Sequence, residues 1–399
     1  MSSGSVSSLG AALGSEWVRL HAPVAFEGQS VAATFAPPDA DHLCEGMRAI
    51  EAAGLAAVVR GAGLHAGLGA LPVRTDLFVS TEGLAGVREL ESAEGVCRVG
   101  AGTTLGDLRS ALEATGWELP LDAPDAATLG GALAAAVPGP RSHGFGPARD
   151  AVLGLDVVLA DGEHTRCGGR VVKNVTGYDL AKLYVGSLGT LGVIESAWLR
   201  LRPRPEQVRT LRLDAPDADA AAERALAIGR HVAVRACGWT AGAGMPPSAT
   251  VELASDAASV GDAIDRLGLD AASPGALEAL APALPAGGLR LRIPALPSQQ
   301  VGVVKTLSGA GAACIAFPGL RFVLADFEAD VAFDAGFAAG AEAARHGCGP
   351  PRCEAAPVDA RRGRDVLGMT PIEAKLAHLL KAQFDPHGTL APGRLGEGA

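Results

Sequence analysis

The sequence predicts an α+β protein of two domains, and three observations lead there. Residues 171–194 carry a short apolar-periodic turn (Leu180, Leu183, Tyr184) and then glycines three apart, Gly186, Gly189 and Gly192. They run into a stretch at 193–202 whose Leu199-Arg200-Leu201-Arg202 alternates apolar and charged, as a half-buried strand does. Residues 56–59 read as a short apolar strand that empties into a glycine-rich loop at 60–69. After Pro203-Arg-Pro205, Ala-rich helical stretches (218–228, 335–344) alternate with strand-like ones (232–236, 289–293, 321–324). That alternation predicts β-α-β halves with helices on one face of an antiparallel sheet. At 399 residues the chain is long enough for two cores.

Composition narrows the function classes. A hydrophobic fraction of 48% without any apolar run near twenty residues predicts a soluble globular protein with no membrane span. A net charge of −10 offers no basic footprint for nucleic acid or an anionic membrane. The first fifteen residues lack the basic start and apolar core of a signal peptide, so they read as a flexible lead of a cytoplasmic protein. Seven cysteines, mostly scattered singly, suit reduced thiols better than a disulfide framework. The one close pair, Cys348 and Cys353, matches neither zinc-ribbon nor ferredoxin spacing, and no metal site is expected.

Taken in order, organised structure is expected from about Pro23. Residues 37–54 read as a helix with Asp39 and Asp41 near its start, Leu43, Met47 and Ile50 at helical spacing, and Gly54 as its stop. Residues 95–102 read as a strand leading into a helix that Thr104 caps, with Leu108, Ala111 and Leu112 inward and Gly116 closing it. Segment 119–131 is rich in turn residues, and 155–167 is a hairpin turning at Asp161-Gly162. The Ala/Gly/Pro-rich segments 237–249 and 282–288 read as loops. Thr370-Pro-Ile-Glu373 has the form of a capping box, with Ile372, Leu376, Leu379 and Leu380 as the buried stripe behind it. Glycines at the density of 186–192 mark backbone that turns tightly or lies against something flat; the same residues would also serve packing alone.

The string V-x-N-x-x-G-Y-D-L-x-K-L followed by G-S-L-G-T-L-G-V-I, at 172–194, resembles the signature of the vanillyl-alcohol-oxidase or PCMH-type FAD-binding superfamily. Within that superfamily it is most similar to the FAD-binding subunit of glycolate oxidase. The implied fold is α+β: a PCMH-type two-subdomain FAD-binding domain at 23–205 after a flexible lead at 1–22, then an α+β, ferredoxin-like, FAD-linked oxidase C-terminal domain at 206–399. The resemblance places Arg60, Gly61, Ala62, Gly63, Leu64, His65, Gly67 and Gly69 beside the FAD pyrophosphate. Covalent flavin attachment in such loops uses a His directly after the second glycine, and here Leu64 intervenes, so non-covalent FAD is expected. The T-[IL]-G-G motif implies cofactor contact for Thr128, Gly130 and Gly131, with Pro124 and Leu129 beside them. The G-P-R opening and G-x-x-R-D close add Gly139, Arg141, Gly146, Arg149 and Asp150, although local ion pairs would equally explain both arginines. Gly189, Gly192, Val193 and Ile194 are implied at the adenine end, and Asn174, Tyr178 and Lys182 are polar candidates with either a structural or a ligand role. Residues 381–394 resemble the closing motif of FAD-linked oxidases, K-x-x-F-D-P-x-G-[IT]-L-N-P-G-R, with Ala391 where Asn is usual.

A flavin accepts the hydride or electrons itself, so the protein supplies binding and orientation. Oxidation of a 2-hydroxyacid would also need an Arg clamp for the carboxylate and a base or metal for the hydroxyl proton. The sequence identifies neither, and its catalytic residues are unknown. The larger flavin subunit of such enzymes has an H-x-G-D-G-N-x-H motif; this chain has none, and its nine histidines are isolated. The expectation is therefore an electron-relay subunit of a glycolate (2-hydroxyacid) oxidase, partnered by a larger catalytic FAD subunit and an iron–sulfur subunit, reaching the membrane only through that complex. The alternatives are a self-sufficient FAD-dependent D-lactate or 2-hydroxyacid dehydrogenase and a non-catalytic scaffold that retains the fold.

Overall fold

A computed structural model describes residues 3–170, 179–269, 273–281, 287–329, 331 and 333–396. Asn174, Gly177 and Tyr178 lie outside the described residues. The chain divides into two compact units: Met1–Val137 with Pro147–Pro203 and Pro371–Ala399, and Pro138–Gly146 with Arg204–Thr370. Two segments depart from the expected division, since Pro138–Gly146 joins the second unit and the C-terminal tail returns to the first.

The first unit begins earlier than Pro23. A helix, Ser3–Leu13, and a strand, Val18–Phe26, are ordered because Leu9 and Val18 bury in a core shared with Leu43, Met47 and Ile50. Those three residues line the inner face of helix Ala40–Ala52, whose first turn is capped where the Asp39 carboxylate accepts from the His42 amide at 2.9 Å. Strands in the order Val18–Phe26, Gln29–Phe35, Leu77–Ser80 and Ala57–Arg60 form a mixed sheet, the last two paired in parallel. A second, antiparallel sheet runs Val87–Glu91, Val96–Gly100, Val193–Arg200, Val152–Val158, His164–Gly168. Its last two strands are the hairpin expected at 155–167. Helix Leu105–Leu112 packs on this sheet through Leu105, Leu108 and Leu112; its Thr104 cap accepts from the Asp107 amide, and Ala111, expected inward, faces outward.

The second unit is one antiparallel sheet of eight strands in the order Ser273–Pro274, Gln207–Asp214, Met245–Ser255, Val234–Gly242, Ala313–Phe317, Phe322–Phe327, Leu289–Pro294, Arg352–Ala355. The segment 237–249, expected as a loop, is most of a hairpin. Cys237, Trp239 and Ala241 alternate into the core there, an arrangement its small-residue composition hid. Helix Phe333–Ala344 lies against Leu289 and Leu291, close enough that a Cβ at Gly336 or Gly340 would stand 2.7 or 2.6 Å from those side chains. Leu289, Leu291 and Ile293 therefore face the helices, and Arg290 and Arg292 face the other way.

The terminal helix Pro371–Phe384 reverses an expectation. Ile372, Leu376 and Leu379 are 72%, 55% and 58% exposed, while Lys381 is buried. Helical periodicity defines a face without saying which way it turns. This helix is anchored at its last turn, where Phe384 meets Tyr184 edge to face at 5.9 Å. Among the described residues, no helix is long and apolar enough to cross a membrane.

Candidate cofactor site

Three loops of the first unit meet at one concave pocket lined by backbone and apolar side chains. The first loop leaves strand Ala57–Arg60 and lines the cavity from Arg60 through Ala66. The second brings Thr128 and Gly131 at the start of helix Leu129–Ala135, and the third brings Leu188. Hydrogen bonds join the last two: the Gly186 amide donates to the Leu133 carbonyl at 3.0 Å and the Leu188 amide to Ala134 at 2.9 Å.

The chain builds the first loop from glycine for reasons that differ by position. A Cβ on Gly61 would stand 2.0 Å from Thr128 Oγ1, so a bare residue is required for the first two loops to touch. Gly63 has φ +79°, a left-handed conformation open to glycine at little cost. The amides of Ala62, Gly63 and Leu64 donate to no protein acceptor among the described residues. A Cβ on Gly131 would find nothing nearer than Thr128 Oγ1 at 3.0 Å, and one on Gly67 nothing within 4 Å. Packing therefore does not require glycine at 67, and at 131 only the Thr128 hydroxyl crowds the position, by a few tenths of an ångström. Unclaimed amides beside a bare wall fit the pyrophosphate of a dinucleotide.

Two basic residues of the tail fasten these loops. Arg394, 4% exposed, donates from Nη2 to the Ala66 carbonyl in the first loop and stands 3.7 Å from Glu27. Lys381, also 4% exposed, donates from Nζ to the carbonyls of Thr190 (3.0 Å) and Leu390 (2.5 Å) and to Asp385 Oδ2 (2.5 Å). Burial lowers the pKa of Lys381, and the Asp385 charge opposes that shift.

Of the residues the resemblance named, Arg60, Gly61, Ala62, Gly63, Leu64, His65, Thr128 and Gly131 line the cavity. Gly69 sits behind the first loop, where a Cβ would meet Leu188 at 2.8 Å. Leu129 is fully buried, and Gly130 lies against Ala101, its amide bonded to the Ala101 carbonyl at 2.8 Å; both serve the core. Val193 and Ile194 are buried strand residues paired with Val158 and Val157. Gly192 lets Val157 approach, and Gly189 faces Val59. Pro124 is an exposed turn residue, Arg149 and Asp150 form an exposed pair at 4.0 Å, and Lys182 pairs with Asp179 at 3.0 Å. Gly139, Arg141 and Gly146 belong to the second unit, where Arg141 and Arg235 both bind Glu252, at 2.9 and 2.6 Å. Sequence reading missed Phe26, Ala134, Ala135 and Leu188 as lining residues. Arg394, visible in the closing motif, also belongs to the lining.

Residues 31–168 match the family described as FAD binding domain, so this part of the chain is an FAD-binding domain and its cofactor is FAD. The fold is that of p-cresol methylhydroxylase, with TM-score 0.72 at 16% identity over 98% of this chain and 96% of that one. The 4-ethylphenol oxidase of Gulosibacter chungangensis gives 0.70 at 14% identity with the same coverage. In sequence the chain is 41% identical over 130 residues to glycolate oxidase subunit GlcE of Escherichia coli, covering 32% of this chain and 37% of that protein. It is 33% identical over 193 residues to glycolate oxidase subunit GlcD of Bacillus subtilis (48% and 41%). It is also 37% identical over 159 residues to D-lactate dehydrogenase of Archaeoglobus fulgidus (40% and 36%). These likenesses bear out the glycolate-oxidase resemblance read from the motifs. The matches span less than half the length of each of these relatives.

Proposed function

We propose that this chain is the FAD-binding subunit of a multi-subunit glycolate (2-hydroxyacid) oxidase, relaying electrons from a larger catalytic flavin subunit to an iron–sulfur subunit. The observation that carries the reading is the cavity where three loops meet and the first presents the unclaimed amides of Ala62, Gly63 and Leu64, in a chain whose matched region is 41% identical to a glycolate oxidase subunit. Bound there, FAD supplies the electron acceptor. The chain's residues hold it: the 62–64 amides bind the pyrophosphate, Thr128 sets the second loop, and Lys381 and Arg394 hold the third and first. An accessory role suits a sequence whose nine histidines are isolated and which has no H-x-G-D-G-N-x-H motif.

The experiment is to purify the chain with FAD and mix it anaerobically with glycolate. The relay reading expects yellow protein whose flavin stays oxidised until the larger flavin subunit is added. Rapid bleaching of the isolated chain would instead support the second reading, a self-sufficient 2-hydroxyacid dehydrogenase. The 37% identity to a D-lactate dehydrogenase favours that alternative. Colourless protein that cannot be loaded with FAD would leave only a scaffold.

A further inference from the structure

One charge cluster in the second unit is unbalanced. On the sheet face opposite helix Phe333–Ala344, Arg292 of strand Leu289–Pro294 stands in register with Arg352 of strand Arg352–Ala355. Like charges directly opposite on neighbouring strands destabilise a sheet. The nearby carboxylates only partly answer them. Glu354 Oε1 lies 3.0 Å from Arg292 Nε, and Asp326 is taken by Arg290 at 2.6 Å. Phe322 lies under the Arg292 guanidinium, 5.5 Å from it, and fixes its plane.

The Arg352 side chain has no ion pair or hydrogen-bond partner among the described residues, and its Nε is buried without one. Burial, and then the charge of Arg292, hold its pKa below the ordinary arginine value, while Glu354 opposes them. Two guanidiniums thus share one carboxylate, leaving a surplus of one positive charge where solvent screening is weak. A half-buried cation with an orphaned donor is costly unless something completes it. Most other buried arginines of this unit are completed: Arg235 by Glu252 and Arg290 by Asp326.

We propose that Arg352, together with Arg292, forms an anion site that takes the carboxylate of a small organic acid. The single surplus charge matches a monoanion, and the planar guanidinium fork matches a carboxylate. The apolar Phe322 and Leu324 on the same strand face suit a short carbon chain better than a fully hydrated phosphate. The inference rests on the functional reading above for the choice of a 2-hydroxyacid, and it concerns binding of the acid rather than its oxidation.

The test uses the full FAD-loaded chain in buffer of constant ionic strength. Binding of sodium glycolate is measured by calorimetry and by the thermal midpoint, with inorganic phosphate as the comparison anion. Arg352→Met and Arg352→Gln are the variants, so that one folding failure does not end the test. Glycolate should raise the wild-type midpoint saturably, and either variant should bind it at least about tenfold more weakly. In the absence of added acid, the variants should melt no lower than wild type, because a repulsive pair has been removed. A purely structural Arg352 would lower the midpoint and leave glycolate binding intact, and that result would overturn the proposal. Phosphate binding without glycolate binding, or no response of the wild type to glycolate, would also overturn it. Neither readout needs flavin reduction, so this site can fail while the relay reading stands, and the reverse.

Discussion

Replacing Lys381 by Met tests how the tail sets the cavity. Lys381 is 4% and Asp385 2% exposed, and the methionine removes the buried ammonium while leaving its partner charged. Breaking a buried pair from one side costs about 3–5 kcal/mol. Here the lower end applies, because Asp385 still accepts from the Thr389 and Leu390 amides at 2.8 and 2.7 Å. At about 2–4 °C per kcal/mol for a unit of this size, the thermal midpoint should fall by about 6–12 °C. FAD should also bind more weakly, since the third loop loses its anchor at the Thr190 carbonyl. The double variant K381M/D385N removes the stranded charge and keeps one acceptor oxygen, enough for one of the two amides, so it should recover part of the lost stability. Circular dichroism melts and flavin fluorescence on the same samples measure both effects. A fall under about 2 °C for K381M, or a double variant no better than the single, would refute the buried-pair reasoning.

Other substitutions probe separate parts of the account. G61A places a methyl against Thr128, 2.0 Å from its hydroxyl, and should cost about 1–3 kcal/mol by denaturant unfolding together with FAD occupancy; unchanged unfolding would mean the two loops do not touch. Burial alone would raise the pKa of Glu252, but hydrogen bonds from Arg141 and Arg235, with their charges, hold it below its ordinary 4.5. The stabilisation is therefore present above about pH 4.5 and is lost as pH falls through the lower folded value, so E252Q should flatten the acid limb of a stability–pH profile; an unaltered limb would contradict the pairing. The triple variant I372S/L376Q/L379Q, on the exposed face of the terminal helix, should shift the midpoint by only about 2 °C; a loss of 10 °C or more would show that face to be buried.

Local chemistry was legible where it is dictated by short-range rules. The Thr104 cap, the acidic start of the first-unit helix at Asp39 and Asp41, the turn at Asp161-Gly162 and the inward stripe of Leu43, Met47 and Ile50 all follow from spacing and side-chain type. The cofactor loops were legible as bare backbone, but their glycines do unlike jobs. Gly61 and Gly130 are bare because protein atoms crowd them, whereas Gly131 is bare where the cavity is. Sequence cannot separate those cases, since both look like glycine beside glycine. The same limit explains Val193 and Ile194, whose motif position suggested a cofactor wall and whose burial makes them core strand. Leu188 was overlooked because it enters the cavity through a left-handed backbone, φ 56°, which nothing in its residue type announces. The tail's role was hidden because the Lys381 to Thr190 bond spans 191 residues.

The most direct measurement is FAD affinity of the wild type against G131V, read by visible absorbance after reconstitution and paired with the melt of each protein without cofactor. Valine at 131 intrudes on the cavity and meets only the Thr128 hydroxyl at its Cβ. The account predicts yellow wild-type protein holding about one FAD per chain, and a variant that folds as well but binds FAD at least about tenfold more weakly. Equal binding by both proteins would contradict the placement of FAD among these three loops.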